Sequence, residues 1–242
     1  MQRYFVKDIR SNQEIEFTRE DEFHILRVMR FKVSQMLEVV FENNLFLGEI
    51  VNVNPLKVIV RRPLFENSEN EREVTILFAL AKGEKPDLVI QKCTELGIKR
   101  IILFASEPAV VKIDVSRIEN KLNRYMAIAK EASEQCHRLV IPKISGPMSL
   151  QEALSSDCSK HRFVCDTTRV EEGKIWSIKA AQASIENGDS ITIAIGPEGG
   201  FSPNEIALFH QMKFASLSLG PRILRAETAA ITAASLFSLL DY

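Results

Sequence analysis

Residues 190–205, SITIAIGPEGGFSPNE, decide the fold because they contain a strand, a glycine-rich loop and the start of a helix. Residues 190–195 are almost entirely apolar, which is typical of a strand buried on both faces of a parallel sheet. Ser202 is suited to cap the following helix, with Pro203 in its first turn and Glu205 completing a capping box. A strand that leads through a loop into a helix indicates an α/β architecture.

The same alternation of strands and helices extends over the rest of residues 71–242. Strands are predicted at residues 74–81, 101–105, 162–166, 190–195 and 214–219. Helices are predicted at residues 86–96, from Ser116 to about Cys136, from Ser202 onward, and from about Glu227 to Leu240. Because each strand is followed by a helix, we expect a parallel sheet with helices on both faces.

Residues 1–70 have a different pattern, in which strands dominate. Strands are predicted at residues 2–6, 14–17, 37–41, 45–51 and 57–61, with a hairpin turn at Asn43-Asn44. A single helix, capped by Thr18, interrupts them. The polar residues 66–73 are suited to be a linker. We therefore expect a small β-barrel in residues 1–70 and an α/β domain in residues 71–242.

Composition and charge exclude several classes of protein. The chain has 242 residues and a formal net charge of −1, so it has no overall attraction to nucleic acid. Its four cysteines and four histidines are spaced like neither a metal site nor a redox pair. We therefore expect no bound metal. No apolar stretch is long enough to span a membrane, and no secretory h-region follows Met1, so we expect a cytoplasmic protein.

The loop Gly196-Pro197-Glu198-Gly199-Gly200-Phe201 has a composition suited to ligand binding. Its glycines permit close approach of a ligand to the backbone. It contains neither the lysine of a phosphate-binding P-loop nor the G-x-G-x-x-G spacing of a dinucleotide site. Glu198 would repel a polyphosphate, so the loop suits a neutral or cationic ligand, such as the sulfonium S-adenosyl-L-methionine. A turn that serves only the strand-to-helix connection is the alternative.

A second loop, Leu219-Gly220-Pro221-Arg222-Ile223-Leu224-Arg225-Ala226-Glu227-Thr228-Ala229, also connects a strand to a helix. Gly220-Pro221 forms a constrained turn whose backbone is able to hydrogen-bond an adenine. Glu227 suits the positive end of the helix dipole. Arg225 opposes that dipole, which favours an anionic partner such as an RNA phosphate or a developing oxyanion.

These two loops resemble the ribosomal RNA small subunit methyltransferase E family, which belongs to the SPOUT class of knotted methyltransferases. The motifs are residues 196–202 and 219–229. Further similarity is found in Lys82-Gly83-Glu84-Lys85, Gln91-Lys92, Thr94-Glu95-Leu96-Gly97, Glu134-Gln135-Cys136, Arg138, His24 and Leu26-Arg27-Val28-Met29-Arg30. The resemblance therefore covers nearly the whole chain.

The resemblance implies a fold, a cofactor and a product. The N-terminal module would be a PUA-like RNA-binding barrel, and the α/β domain would contain a C-terminal trefoil knot. S-adenosylmethionine would bind at Gly196, Pro197, Glu198, Gly199, Gly200, Leu219, Gly220, Pro221, Ile223 and Leu224. The enzyme would be a homodimer that produces N3-methyluridine in 16S ribosomal RNA of the small ribosomal subunit.

Residues for catalysis and RNA contact are assigned as hypotheses within that resemblance. Arg225 would stabilise negative charge on the uracil, and Glu227 or Glu198 would assist deprotonation or orient Arg225. Basic residues suited to phosphate contact are Arg3, Arg27, Arg30, Lys82, Lys85, Lys92 and Arg138. The alanines of the last helix suit either a dimer contact or packing within the chain.

Three other functions remain open at this point. A related SPOUT methyltransferase would act on transfer RNA or on another base. A non-catalytic RNA-binding protein would not need both loops. A nucleotide-linked oxidoreductase is disfavoured because the G-x-G-x-x-G motif is missing.

Overall fold

A computed structural model describes residues 1–80, 86–106, 115–166 and 175–240. The chain divides into two compact units. Unit 1 contains Met1–Glu69 and Ser133–Val140, and unit 2 contains Asn70–Ala132 and Ile141–Tyr242. Unit 1 includes Ser133–Val140, which the sequence analysis places within residues 71–242. The functional division into an RNA-binding module and a methyltransferase domain stays a prediction.

Unit 1 is built on a four-stranded sheet. Its strands are β1 (Arg3–Phe5), β4 (Met36–Phe41), β5 (Asn44–Val53) and β6 (Leu56–Leu64), in that order. The short strands β2 (Asp8–Ile9) and β3 (Ile15–Glu16) form a separate antiparallel pair. The predicted hairpin joins β4 to β5, and its turn residues are Glu42 and Asn43, which both have positive φ. Positive φ at both central residues is the geometry that tight hairpins require.

The helix predicted after Thr18 is confirmed at its start and differs further along. The Thr18 hydroxyl accepts a hydrogen bond from the Asp21 amide at 3.1 Å and caps α1 (Arg19–Phe23). The chain continues as a π-helix over His24–Val28. Ile25 lies in the core of unit 1, together with Tyr4, Ile15, Phe17, Leu37, Val39, Ile50 and Val58.

Unit 2 contains a parallel seven-stranded sheet. The strands are β7 (Val74–Leu80), β8 (Arg100–Ala105), β9 (Lys143–Ser149), β10 (His161–Cys165), β11 (Trp176–Ser177), β12 (Ile191–Ile195) and β13 (Ala215–Ser218). Their order is β11-β13-β10-β12-β7-β8-β9, and every neighbouring pair is parallel. The predicted α/β fold is confirmed. The sequence analysis missed β11, which has two residues, and β9, which Gly146-Pro147 interrupts.

Helices cover the sheet. They are α2 (Pro86–Glu95), α3 (Val115–Gln135), α4 (Leu150–Ser155), α5 (Ile178–Ala183), α6 (Pro203–Gln211) and α7 (Ala226–Ser238). Two apolar clusters make up the core, and α7 belongs to the larger one. Ala229, Ala230, Ala233 and Ala234 are all buried in that cluster. The small residues of α7 therefore pack within the chain.

Among the described residues, no helix is long and apolar enough to cross a membrane. The same part of the chain holds no group of histidine, cysteine, aspartate and glutamate side chains arranged to bind a metal ion. All four cysteines are free thiols.

Candidate functional site

A cavity of about 590 Å³ lies at the carboxyl ends of three neighbouring strands of unit 2. Asp166 follows β10, residues 196–200 follow β12, and residues 219–224 follow β13, and all of them line the cavity. Ligands of open parallel sheets bind at this edge. The sheet topology therefore brings together two loops that are about 20 residues apart in the sequence.

The loop over residues 196–201 is constrained by its own geometry. The Gly200 amide donates a hydrogen bond to the Pro197 carbonyl at 2.8 Å, and Gly200 has a φ of +74°. A Cβ atom on Gly196 would lie 3.0 Å from the Phe201 ring. Gly199 differs, because no described atom lies within 4 Å of the position its Cβ would take. Two glycines thus serve the turn itself, whereas Gly199 leaves space beside the cavity.

The same loop is attached to the core by its last residues. Phe201 is buried and packs against Phe209, with the ring centroids 4.8 Å apart. Ser202 and Glu205 form the predicted capping box, in which the Ser202 amide donates to a Glu205 carboxylate oxygen at 2.8 Å. The second Glu205 oxygen accepts a hydrogen bond from the Ser106 hydroxyl at 2.8 Å. These contacts hold the loop in one position against the sheet.

The loop over residues 219–225 is more exposed. Gly220 has a φ of +122°, which favours glycine, and its amide donates to the Ser218 hydroxyl at 3.3 Å. Ile223 lines the cavity although its side chain is 85% exposed. Leu219 and Leu224 pack against the core of unit 2 and are inward contacts of this loop.

All ten residues predicted to bind the cofactor line this cavity, so the structure brings the two predicted loops to one place. Their roles in binding stay a prediction. The sequence analysis missed other lining residues, namely Cys165, Asp166, Ile175, Ile195, Leu217, Ser218, Arg222, Ala226 and Ala229. Asp166 was detectable, because it is the last residue of a strand predicted over residues 162–166 and the carboxyl ends of parallel strands meet at the ligand-binding edge.

The charges of the lining favour a cation. Among the described residues that line the cavity, the charged ones are Asp166, Glu198 and Arg222. Two carboxylates and one guanidinium would repel a polyphosphate. Burial raises the pKa of the Cys165 thiol to about 12, so this group is neutral at pH 7.

The remaining lining suits the adenosyl and alkyl parts of S-adenosylmethionine. Apolar walls come from Ile175, Ile195 and Leu217, and the two loops present backbone groups beside them. Small-molecule sites in proteins combine such apolar walls with a few polar groups. The residues present therefore fit a sulfonium cofactor in volume, polarity and charge.

The two residues proposed for catalysis are neighbours, in the sequence, of residues that line the cavity. Arg225 is exposed and occupies the N-cap position of α7 without a side-chain capping hydrogen bond. Glu227 is half-buried in the first turn of the same helix. Neither lines the cavity, but Leu224 and Ala226, on either side of Arg225, do. The predicted position at the start of the last helix is confirmed, and the catalytic roles stay a prediction.

The assignment of Arg3 and Arg138 to RNA contact is wrong in this structure. Arg3 is 2% exposed, and its Nε donates to a Glu38 carboxylate oxygen at 2.8 Å. Arg138 is 3% exposed and pairs with Glu69 at 2.8 Å. A buried guanidinium that is neutralised by a carboxylate is not available to a phosphate. These pairs lie inside unit 1 and hold residues 133–140 there.

The other basic residues assigned to RNA contact have mixed surroundings. Arg27 and Arg30 are exposed. Lys92 is half-buried and pairs with Glu95 on the same helix at 2.8 Å. Lys82 and Lys85 lie outside the described residues. RNA contact by these five residues stays a prediction.

Comparison with known proteins identifies the family of this chain. A family described as the RNA methyltransferase domain matches residues 68–238, which defines the class of protein. Ribosomal RNA small subunit methyltransferase E of Bacillus subtilis is 34% identical, with 98% of this chain and 96% of that protein covered. The protein of the same name from Rickettsia conorii is 32% identical, with coverages of 98% and 94%. The chain belongs to the ribosomal RNA small subunit methyltransferase E family.

A solved structure is similar over the same length. It is a putative methyltransferase from Legionella pneumophila in complex with S-adenosylmethionine, and it is 30% identical to this chain. The TM-score is 0.85, and the alignment covers 97% of this chain and 95% of that one. The similarity therefore includes both units of the chain.

Proposed function

We propose that this chain is an S-adenosylmethionine-dependent methyltransferase that modifies N3 of a uridine in 16S ribosomal RNA of the small subunit. The observation that carries the proposal is the cavity between the two loops, with its apolar walls and its excess of carboxylates. Family membership supports the activity on ribosomal RNA. The relative from Legionella, crystallised with S-adenosylmethionine, supports the cofactor.

The two loops and the strand ends would hold the cofactor. Backbone groups of residues 219–224 would hydrogen-bond the adenine, and Ile195 and Leu217 would contact its apolar faces. Glu198 and Asp166 would offset the positive charges of the cofactor. When bound, S-adenosylmethionine supplies an electrophilic methyl group and a thioether leaving group.

The protein side chains must activate a weak nucleophile. The uridine N3 carries a proton at neutral pH, and loss of this proton spreads negative charge onto the uracil carbonyls. The exposed guanidinium of Arg225, at the start of α7, would stabilise that charge. Glu227 or Glu198 would accept the proton or orient Arg225.

The finer features of the fold and assembly also belong to this proposal. The carboxyl-terminal segments would form the trefoil knot that the family resemblance implies. Residues 1–70 would be a PUA-like RNA-binding barrel, and the active enzyme would be a homodimer. The place of action would be the cytoplasm, where small ribosomal subunits are assembled.

A methyl-transfer assay with nucleoside analysis tests the proposed function. Purified small subunits, naked 16S ribosomal RNA and transfer RNA are each incubated with the full chain and labelled S-adenosylmethionine. We expect label in N3-methyluridine of the ribosomal RNA. Label in transfer RNA alone would overturn the assigned RNA, label in another nucleoside would overturn the assigned atom, and no label would overturn the activity.

A further inference from the structure

Unit 1 exposes a cluster of large apolar side chains in one segment. Within this unit the described residues include seven large hydrophobic side chains that are exposed, and five of them fall within residues 23–36. The five are Phe23, Val28, Met29, Val33 and Met36. Exposed apolar residues scattered singly along a chain are ordinary, whereas five within 14 consecutive residues favour a binding surface.

The local fold explains why these side chains face solvent. The π-helix over His24–Val28 directs Ile25 into the core of unit 1, and Leu26 and Phe31 pack against that core. The residues between these anchors cannot reach the core at the same time. Phe23, the last residue of α1, directly precedes these anchors and is 63% exposed.

The same segment is strongly basic. Arg27, Arg30 and Lys32 are exposed, and residues 24–37 contain no aspartate or glutamate. The nearest carboxylates in the sequence that face solvent belong to Glu20 and Glu22 on α1. A surface that combines positive charge with exposed apolar groups complements a polyanion that also exposes flat apolar faces.

We propose that residues 23–36 bind an unpaired stretch of RNA, with a base stacked on Phe23 and backbone phosphates at Arg27 and Arg30. This inference rests on the proposed function, because it assigns part of the RNA contact of the same enzyme. Single-stranded RNA combines phosphates with accessible base faces, and proteins bind it with basic residues beside aromatic rings. Paired RNA keeps its bases stacked inside the helix, so it offers Phe23 no base face.

The stacking contact is tested with a pair of matched variants of the full chain. Phe65 is another exposed phenylalanine of unit 1, at 96% exposure, and it lies outside the basic segment. The probe is a fluorescent single-stranded oligoribonucleotide about 12 nucleotides long. We expect Phe23→Ala to weaken binding about fivefold or more, Phe65→Ala to change it less than twofold, and Phe23→Trp to retain it.

The phosphate contacts have a different signature. Arg27→Gln and Arg30→Gln should each reduce the slope of log affinity against log salt concentration by about 0.7, the value for one phosphate of a single strand. Phe23→Ala should leave that slope unchanged, because stacking releases no counterions. Thermal unfolding of each variant checks that unit 1 remains folded.

Three results would overturn the inference. Phe23→Ala could bind the probe as tightly as Phe65→Ala does. An equal loss of affinity of this variant for single-stranded and duplex RNA would also contradict base stacking. Loss of a dimer that light scattering detects for the wild-type chain would instead make the segment a subunit contact. Methyl transfer distinguishes this failure from failure of the proposed function. If the wild-type chain methylates ribosomal RNA and Phe23→Ala binds the probe normally, the result contradicts only the proposed RNA-binding surface. The proposed function is then unaffected.

Discussion

The two loops that line the cavity differ in how they are attached to the protein. The loop over residues 196–201 ends in the buried Phe201 and in the capping box between Ser202 and Glu205. The loop over residues 219–225 contains Ile223, which is 85% exposed, and Arg225, which caps α7 without a side-chain hydrogen bond. One wall of the cavity is therefore fixed by the core, and the other faces solvent.

This difference predicts different roles for the two loops. A wall with buried anchors keeps its shape before any ligand arrives and supplies a preorganised surface. A loop with few buried contacts opens at a lower free-energy cost, so ligand contacts help to fix it. We therefore expect changes at the buried end of the first loop to alter stability, and changes at the exposed positions of either loop to alter function with little effect on stability.

The largest expected effect belongs to the anchor of the first loop. Phe201→Ala removes a buried ring that packs against Phe209 and should lower the free energy of unfolding by about 3–5 kcal/mol. Chemical denaturation monitored by circular dichroism measures this value. A loss below about 1 kcal/mol would mean that the loop is not held by this side chain.

The next effect is on catalysis through the second loop. Arg225→Ala should reduce kcat about 100- to 1000-fold, because a donor to developing negative charge is lost. The affinity for S-adenosylmethionine should stay unchanged, since Arg225 does not line the cavity. Single-turnover methyl transfer and cofactor titration separate the two quantities. An unchanged rate would remove Arg225 from the reaction.

A smaller effect is expected at Gly199 of the first loop. Gly199→Ala adds a methyl group at a position where no described atom lies within 4 Å, so the free energy of unfolding should hardly change. The affinity for S-adenosylmethionine should fall about tenfold, or about 1.4 kcal/mol, if the cofactor approaches this backbone. Calorimetric titration measures the affinity. Unchanged binding would place the cofactor away from Gly199.

The smallest effect on stability is expected at Ile223, which is matched to Phe201 as an apolar residue of the opposite loop. Ile223→Ala should change the free energy of unfolding by less than about 0.5 kcal/mol, because the side chain is already in solvent. The same denaturation experiment applies. A large loss of stability would show that the two loops are anchored alike.

The sequence was sufficient to predict that the two loops lie at one edge of the sheet, because the relevant signals are local. A buried strand, a glycine-rich loop and a capping box follow one another within residues 190–205, and the structure contains each of them. The rule that parallel strands place their following loops at one edge then joins residues 196–200 with residues 219–224. Both loops line one cavity.

The errors arose where a partner is distant in the sequence. Arg3 was assigned to RNA contact as a basic residue of the N-terminal module, whereas its partner Glu38 is 35 residues away. Arg138 is likewise paired with Glu69, at a separation of 69 residues. A charged residue in a sequence shows neither its burial nor its partner. Only the fold separates these two arginines from the exposed Arg27 and Arg30.

The central claim is that both loops contact one molecule of S-adenosylmethionine, and hydrogen–deuterium exchange of the full chain tests it most directly. Exchange is followed by mass spectrometry with and without saturating cofactor. We expect peptides covering residues 196–201 and 219–225 both to be protected, with the larger gain in the more exposed second loop. Protection of only one loop, or of neither, would contradict the account.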